Sequence, residues 1–113
     1  MNDIKEITDK ILEFRDKRNW KQFHNPKDLA ICLNVESSEL LELFLWKNGE
    51  EVNNEVNIDK LKDELADVLY SAFLLADYYN LDIKEIVLNK LRKNALKYPV
   101  EKSKDSNKKH NEL

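Results

Sequence analysis

The chain has 113 residues, a length for one domain, and its 36 % charged and 42 % hydrophobic residues come with one glycine and two prolines, a balance that favours long helices over turn-rich β architecture. The lone Gly49 excludes glycine-rich phosphate loops, which need several glycines close together, and 19 basic against 22 acidic residues, a net charge of -3, argue against a nucleic-acid backbone as partner. The single Cys32 lacks an intramolecular disulfide partner, the opening M-N-D-I-K-E is not a signal peptide, and the longest near-apolar stretch, 68–76, is far too short to span a bilayer, so a cytoplasmic protein with no membrane partner is expected.

Asp3 followed by Glu6 makes a capping-box-like start, and Ile4, Ile7, Ile11 and Phe14 recur at helical spacing, which predicts a first helix ending near Arg18. The aromatic-rich W-K-Q-F-H at 20–24 breaks the pattern. Asn25 then stands as an N-cap before Pro26, and a second helix is expected over 26–47, stopped by Asn48 and Gly49. A polar, acidic connection runs to about Asn57. The third helix is expected over 59–79, and its centre L-A-D-V-L-Y-S-A-F-L-L-A is apolar on nearly every side, which predicts burial on two faces. After a short turn at Asn80 and Leu81, Asp82 caps a fourth helix with Glu85 three residues on, and so short a connection predicts antiparallel neighbours. That helix fades at Tyr98 and Pro99, so the expected organisation is a domain over 1–99 and a disordered charged tail over 100–113.

The second and third helices carry carboxylates where a core is expected. At ~100° per residue Glu36 falls inside the stripe made by Leu29, Leu33, Leu40 and Leu43, with Glu39 on its flank. The third helix repeats this with Glu64 and Asp67, the latter inside the most apolar segment of the chain. Either pair alone is what many exposed helix faces show. Together they form an oxygen-only cluster if the helices pack, and its mutual repulsion calls for a hard divalent cation, Mg²⁺ or Mn²⁺. A di-iron bundle is disfavoured because neither histidine stands in a Glu-x-x-His pair. On the fourth helix Lys90, Asn94 and Lys97 share one face, suited to phosphate oxygens or simply to solvent. Trp20, Phe23, His24 and Trp46 flank the acids and offer rings for stacking on a base or for packing the long connection.

These residues bring the chain to a family. It resembles the all-α nucleoside triphosphate pyrophosphohydrolases of the MazG-like superfamily, marked by E-x-x-E on one helix and E-x-x-D on the next. The segments F-R-D-K-R-N-W-K-Q-F-H-N-P, E-S-S-E-L-L-E-L-F-L-W-K, E-L-A-D-V-L and K-Y-P look like the dCTP pyrophosphatase branch, over about residues 4–99. The resemblance implies a four-helix bundle, oligomeric through its central helices as a homodimer or homotetramer. It also implies Mg²⁺-dependent cleavage of a (deoxy)nucleoside triphosphate, a pyrimidine such as dCTP, to monophosphate and pyrophosphate, in nucleotide pool sanitation. Glu36, Glu39, Glu64 and Asp67 would be the catalytic metal ligands. Of these acids Glu39, on the flank of its stripe rather than at the centre, is the choice for orienting the attacking water. Lys90 and Lys97 would face the phosphates, Asn94 and Trp46 the nucleoside, Trp20 and His24 the pocket wall, and Tyr98 of K-Y-P the substrate. The alternatives are the same chemistry on dUTP, phosphoribosyl-ATP or a modified nucleotide, and a non-catalytic helical interaction module. The chain departs from the family at N-A-L before K-Y-P, where relatives often carry more arginine, and at Ser37 and Ser38, where small apolar residues are frequent.

Overall fold

The computed structural model describes residues 3–50 and 55–113, among which every regular element is helical. The chain divides into two compact units, residues 1–81 and 82–113, a boundary inside the stretch 1–99 expected as one domain. The first unit holds α1 (Asp3–Lys17), a 3-10 turn (Lys21–Phe23), α2 (Pro26–Glu42) and α3 (Ile58–Tyr78). The second holds α4 (Ile83–Lys97), the short α5 (Val100–Ser103) and a 3-10 turn (His110–Glu112).

Helix α1 starts on Asp3 and Glu6 and ends on Arg15 and Lys17, charges that complement the helix dipole at both ends. It closes in a Schellman motif. Asn19 adopts a left-handed φ of 54°, and the Asn19 and Trp20 N–H groups donate to the carbonyls of Asp16 and Arg15 at 3.0 and 3.1 Å. Asn80 does the same for α3 at φ 55°, with the Leu81 N–H donating to Ala76 at 2.9 Å. The N-cap expected at Asn25 holds, its side chain accepting from the Asp28 N–H at 2.9 Å ahead of Pro26. Asn57, not singled out in the sequence, caps α3 by accepting from the Lys60 N–H at 3.2 Å.

Helix α2 ends five residues before the expected stop at residue 47. From Leu43 onward the chain tightens into i to i−3 bonds, with Leu43 and Phe44 donating to Leu40 and Leu41 at 3.2 and 2.9 Å. The left-handed residue is Trp46, at φ 65°, and Gly49 has no positive φ. The acidic connection expected after it lies partly outside the described residues.

Within the first unit α2 and α3 make the most extensive contact, and α1 packs on α3. The core is small: Leu29 of α2 and Leu74 and Ala76 of α3 are buried, together with Ser71 and Arg15. The Arg15 guanidinium holds Asp16 at 2.8 Å and lies 3.8 Å from Asp77 of α3, so a buried cation ties α1 to α3. Of the two faces of α3 expected to be buried, the one bearing Ser71 and Leu74 is covered, whereas Leu65 and Leu69 remain about half exposed, at 45 % and 52 %.

In the second unit, Asp82 caps α4 by accepting from the Glu85 N–H at 2.9 Å, as expected. The Tyr98 N–H donates to Asn94 at 2.8 Å, and Pro99 starts α5, where the Ser103 hydroxyl donates to the Pro99 carbonyl at 2.6 Å. The Tyr98 ring meets His110 edge-on at 5.8 Å, so the segment expected to be a disordered tail carries short helical structure.

Candidate functional site

The packing of α2 on α3 brings Glu36, Glu64 and Asp67 together, with one carboxylate oxygen of each within 4.8 Å of the others. Glu39, one turn beyond Glu36, lies close enough to Glu36 and Glu64 for its charge to act on both. All four acids singled out in the sequence therefore share one neighbourhood. The two serines between Glu36 and Glu39 turn away into the helix, their hydroxyls donating to Leu33 and Asn34 carbonyls at 2.8 and 3.0 Å.

Crowding has an electrostatic signature. Burial, then the adjoining carboxylate of Glu39, and then the charges of Asp67 and Glu64 push Glu36 up to about 6 from 4.5. Glu64 is raised as well, by desolvation first and Glu39 second. Glu36 Oε2 and Glu64 Oε2 are buried with no hydrogen-bond partner. Orphaned anionic oxygens converging on one point are costly alone and are the donor set of a hard divalent cation, so these residues fit Mg²⁺ or Mn²⁺.

Beside the acids lies a cavity of about 830 Å³, walled by Glu36 and Asp67 at the cluster and by Phe14, Trp20, Tyr70, Phe73 and several aliphatic side chains elsewhere. Its rings are organised. Phe14 meets Trp20 at 5.7 Å and Tyr70 at 6.1 Å, both edge-on, and the Arg18 guanidinium sits 3.7 Å from the Phe14 ring centre. His24 also lines the wall; burial and then the Arg15 charge lower its pKa, which keeps the imidazole neutral near pH 7. Burial raises the Tyr70 pKa, so its phenol stays protonated.

Of the substrate-side residues singled out in the sequence, Trp20 and His24 line this cavity. Trp46 does not, standing 98 % exposed on the turn after α2. Lys90, Asn94, Lys97 and Tyr98 lie on α4 and its C-cap, in the second unit. The sequence reading passed over Lys10, Cys32, Tyr70 and Ser71, which also line the cavity. The signal was present: Cys32 precedes Glu36 by four residues, and Tyr70 and Ser71 follow Asp67 by three and four, the spacings that share a helix face.

The geometry has counterparts among known proteins. Over 105 residues the chain is 37 % identical to dCTP pyrophosphatase 1 of Mus musculus and 36 % identical to that of Homo sapiens, in each case over 89 % of this chain and 62 % of the relative. It thus spans somewhat under two thirds of the length of these relatives. The crystal structure of a pyrophosphatase from Archaeoglobus fulgidus superposes with a TM-score of 0.82 at 36 % identity, covering 88 % of this chain and 94 % of that one. The model of the MazG-like family matches residues 31–113, a stretch that takes in all four clustered acids. With its all-helical fold and its paired acids on adjoining helices, the chain belongs to the MazG-like family.

Proposed function

We propose that this protein is a metal-dependent nucleoside triphosphate pyrophosphohydrolase that cleaves between the α and β phosphorus atoms of a pyrimidine deoxynucleotide, dCTP first, giving the monophosphate and pyrophosphate. The observation that carries the reading is the carboxylate cluster of Glu36, Glu64 and Asp67, with Glu39 beside it, at an aromatic-walled cavity. Kinship with dCTP pyrophosphatases and with an archaeal pyrophosphatase supports the same chemistry.

Glu36, Glu64 and Asp67 would hold Mg²⁺, with Mn²⁺ as a substitute. A bound divalent cation supplies charge neutralisation of the triphosphate and acidification of water. Glu39, beside the other acids of the cluster, orients the attacking water. Phe14, Trp20 and Tyr70 exclude solvent and offer stacking surfaces to the base. Neutral His24 serves as pocket wall beside Trp20. We further assign a homodimer or homotetramer, because Ile31 and Val35 of α2 and Leu65 and Leu69 of α3 are each about half exposed in one chain.

The test is pyrophosphate release from a panel of NTPs and dNTPs, with dUTP, phosphoribosyl-ATP and base-modified nucleotides included, in Mg²⁺, Mn²⁺ or EDTA. Release from dCTP above the other nucleotides and its loss in EDTA are expected. Orthophosphate as the product, or undiminished release in EDTA, would contradict the reading.

A further inference from the structure

One serine among the described helices differs from the rest. Five serine and threonine residues lie within the described helices: Thr8, Ser37, Ser38, Ser71 and Ser103. Four of them return their hydroxyl proton to a carbonyl four residues back, at 2.7, 2.8, 3.0 and 2.6 Å. Ser71 does not. Its residue is only 4 % exposed, it lines the cavity, and its hydroxyl has no hydrogen-bond partner among the described residues. A helical serine has a ready partner in the carbonyl of the preceding turn, the bond that the other four make. Leaving that bond unmade keeps the hydroxyl available to whatever fills the cavity.

Its position says what that is. Ser71 follows Asp67 by one helical turn, ~6 Å along α3. Cys32 precedes Glu36 by the same interval on α2, and Cys32 and Tyr70 are close enough for their charges to interact. Three residues farther from the acids on each helix come Leu29 and Leu74, each 4 % exposed. The wall therefore changes along its length from anionic, through a band of Cys32, Tyr70 and Ser71, to apolar. A triphosphate held at the acids projects its nucleoside into that band, and the aromatic rings around it favour a flat ring over a sugar.

We propose that Ser71 is a specificity-determining residue that reads the polar edge of the nucleobase, its unpartnered hydroxyl hydrogen-bonding a base stacked in the cavity. This rests on the reading of the cavity as a nucleoside site. Because a hydroxyl both donates and accepts, it serves a carbonyl or an amino edge. An apolar cavity without it would rank bases by size alone.

The experiment compares wild type with Ser71→Ala in the presence of Mg²⁺, measuring kcat and KM for dCTP, dTTP, dATP, dGTP and CTP. Calorimetric binding of the corresponding monophosphates reads the same discrimination without turnover. Removing the hydroxyl is expected to cost the preferred base about three- to tenfold in kcat/KM, mainly through KM, and less for the others, which flattens the base ranking. The monophosphate affinities should flatten in parallel. An unchanged ranking, an equal fall for every base, or a change confined to the CTP against dCTP ratio would overturn the proposal. A wild type that releases no pyrophosphate would instead sink the assigned reaction, and the monophosphate affinities would still decide whether Ser71 reads the base.

Discussion

Glu36 occupies a position on α2 where the apolar stripe calls for a leucine, and its carboxyl is held up at about 6 against 4.5 in an open environment. The sign of the consequence follows from linkage. A carboxyl whose folded value is raised binds its proton more tightly in the folded chain, so its contribution is favourable below about pH 4.5 and is lost as pH rises through 6. Without metal the protein should therefore melt lower at pH 7 than at pH 5 by the equivalent of about 1 kcal/mol, or ~4 °C, after allowance for screening. Glu36→Gln should flatten that difference, and Mg²⁺ should reverse it. Melting curves in EDTA and in Mg²⁺ across this range check all three, and a pH response identical in wild type and variant would contradict the assignment. Substituting Glu36 by Ala should likewise remove more than ~100-fold of the turnover while preserving or raising the metal-free Tm, because like charges are relieved. The same variants should lose calorimetric Mg²⁺ binding.

Among the elements, the helix ends were the most legible feature. Asn25 before Pro26 and Asp82 ahead of Glu85 were readable as caps, because a short polar side chain beside orphan N–H groups has few other uses. Replacing Asn25 by Ala should cost about 1 kcal/mol in urea unfolding, with no change in m-value. A loss below a few tenths would mean that Pro26 alone sets the helix start. The end of α2 was less legible. L-L-E-L-F-L-W continues a helix-forming pattern, and Asn48 with Gly49 offers the standard stop, yet the chain turns at Leu43 and places Trp46 in the left-handed region. Local propensity held nothing to mark that turn. The acids were legible because charge inside an apolar stripe is anomalous wherever it occurs. The cavity was not, since Cys32 and Ser71 look ordinary until α2 and α3 are packed. Arg15 was equally hidden: its partner Asp77 lies on α3, far away in sequence.

At the scale of the whole molecule, the described core is small for the apolar content, with Ile31, Val35, Leu65 and Leu69 of the first unit all between 45 % and 52 % exposed. Self-association through α2 and α3 is the expected remedy. Light scattering behind size exclusion should give a dimer or tetramer, and Ile31→Lys with Val35→Lys should shift it towards monomer. A monodisperse wild-type monomer at high micromolar concentration would contradict that assignment. No described helix is long and apolar enough to cross a membrane.

The central claim is that clustered acids hold a metal and thereby drive cleavage of a nucleoside triphosphate. Its most direct test is pyrophosphate release from dCTP in Mg²⁺ by wild type beside Asp67→Ala, with the fold of each followed by circular dichroism. The account predicts pyrophosphate and dCMP in equal amounts from wild type, with release abolished by EDTA and by the substitution in a protein that melts no lower. Full activity in folded Asp67→Ala would contradict it.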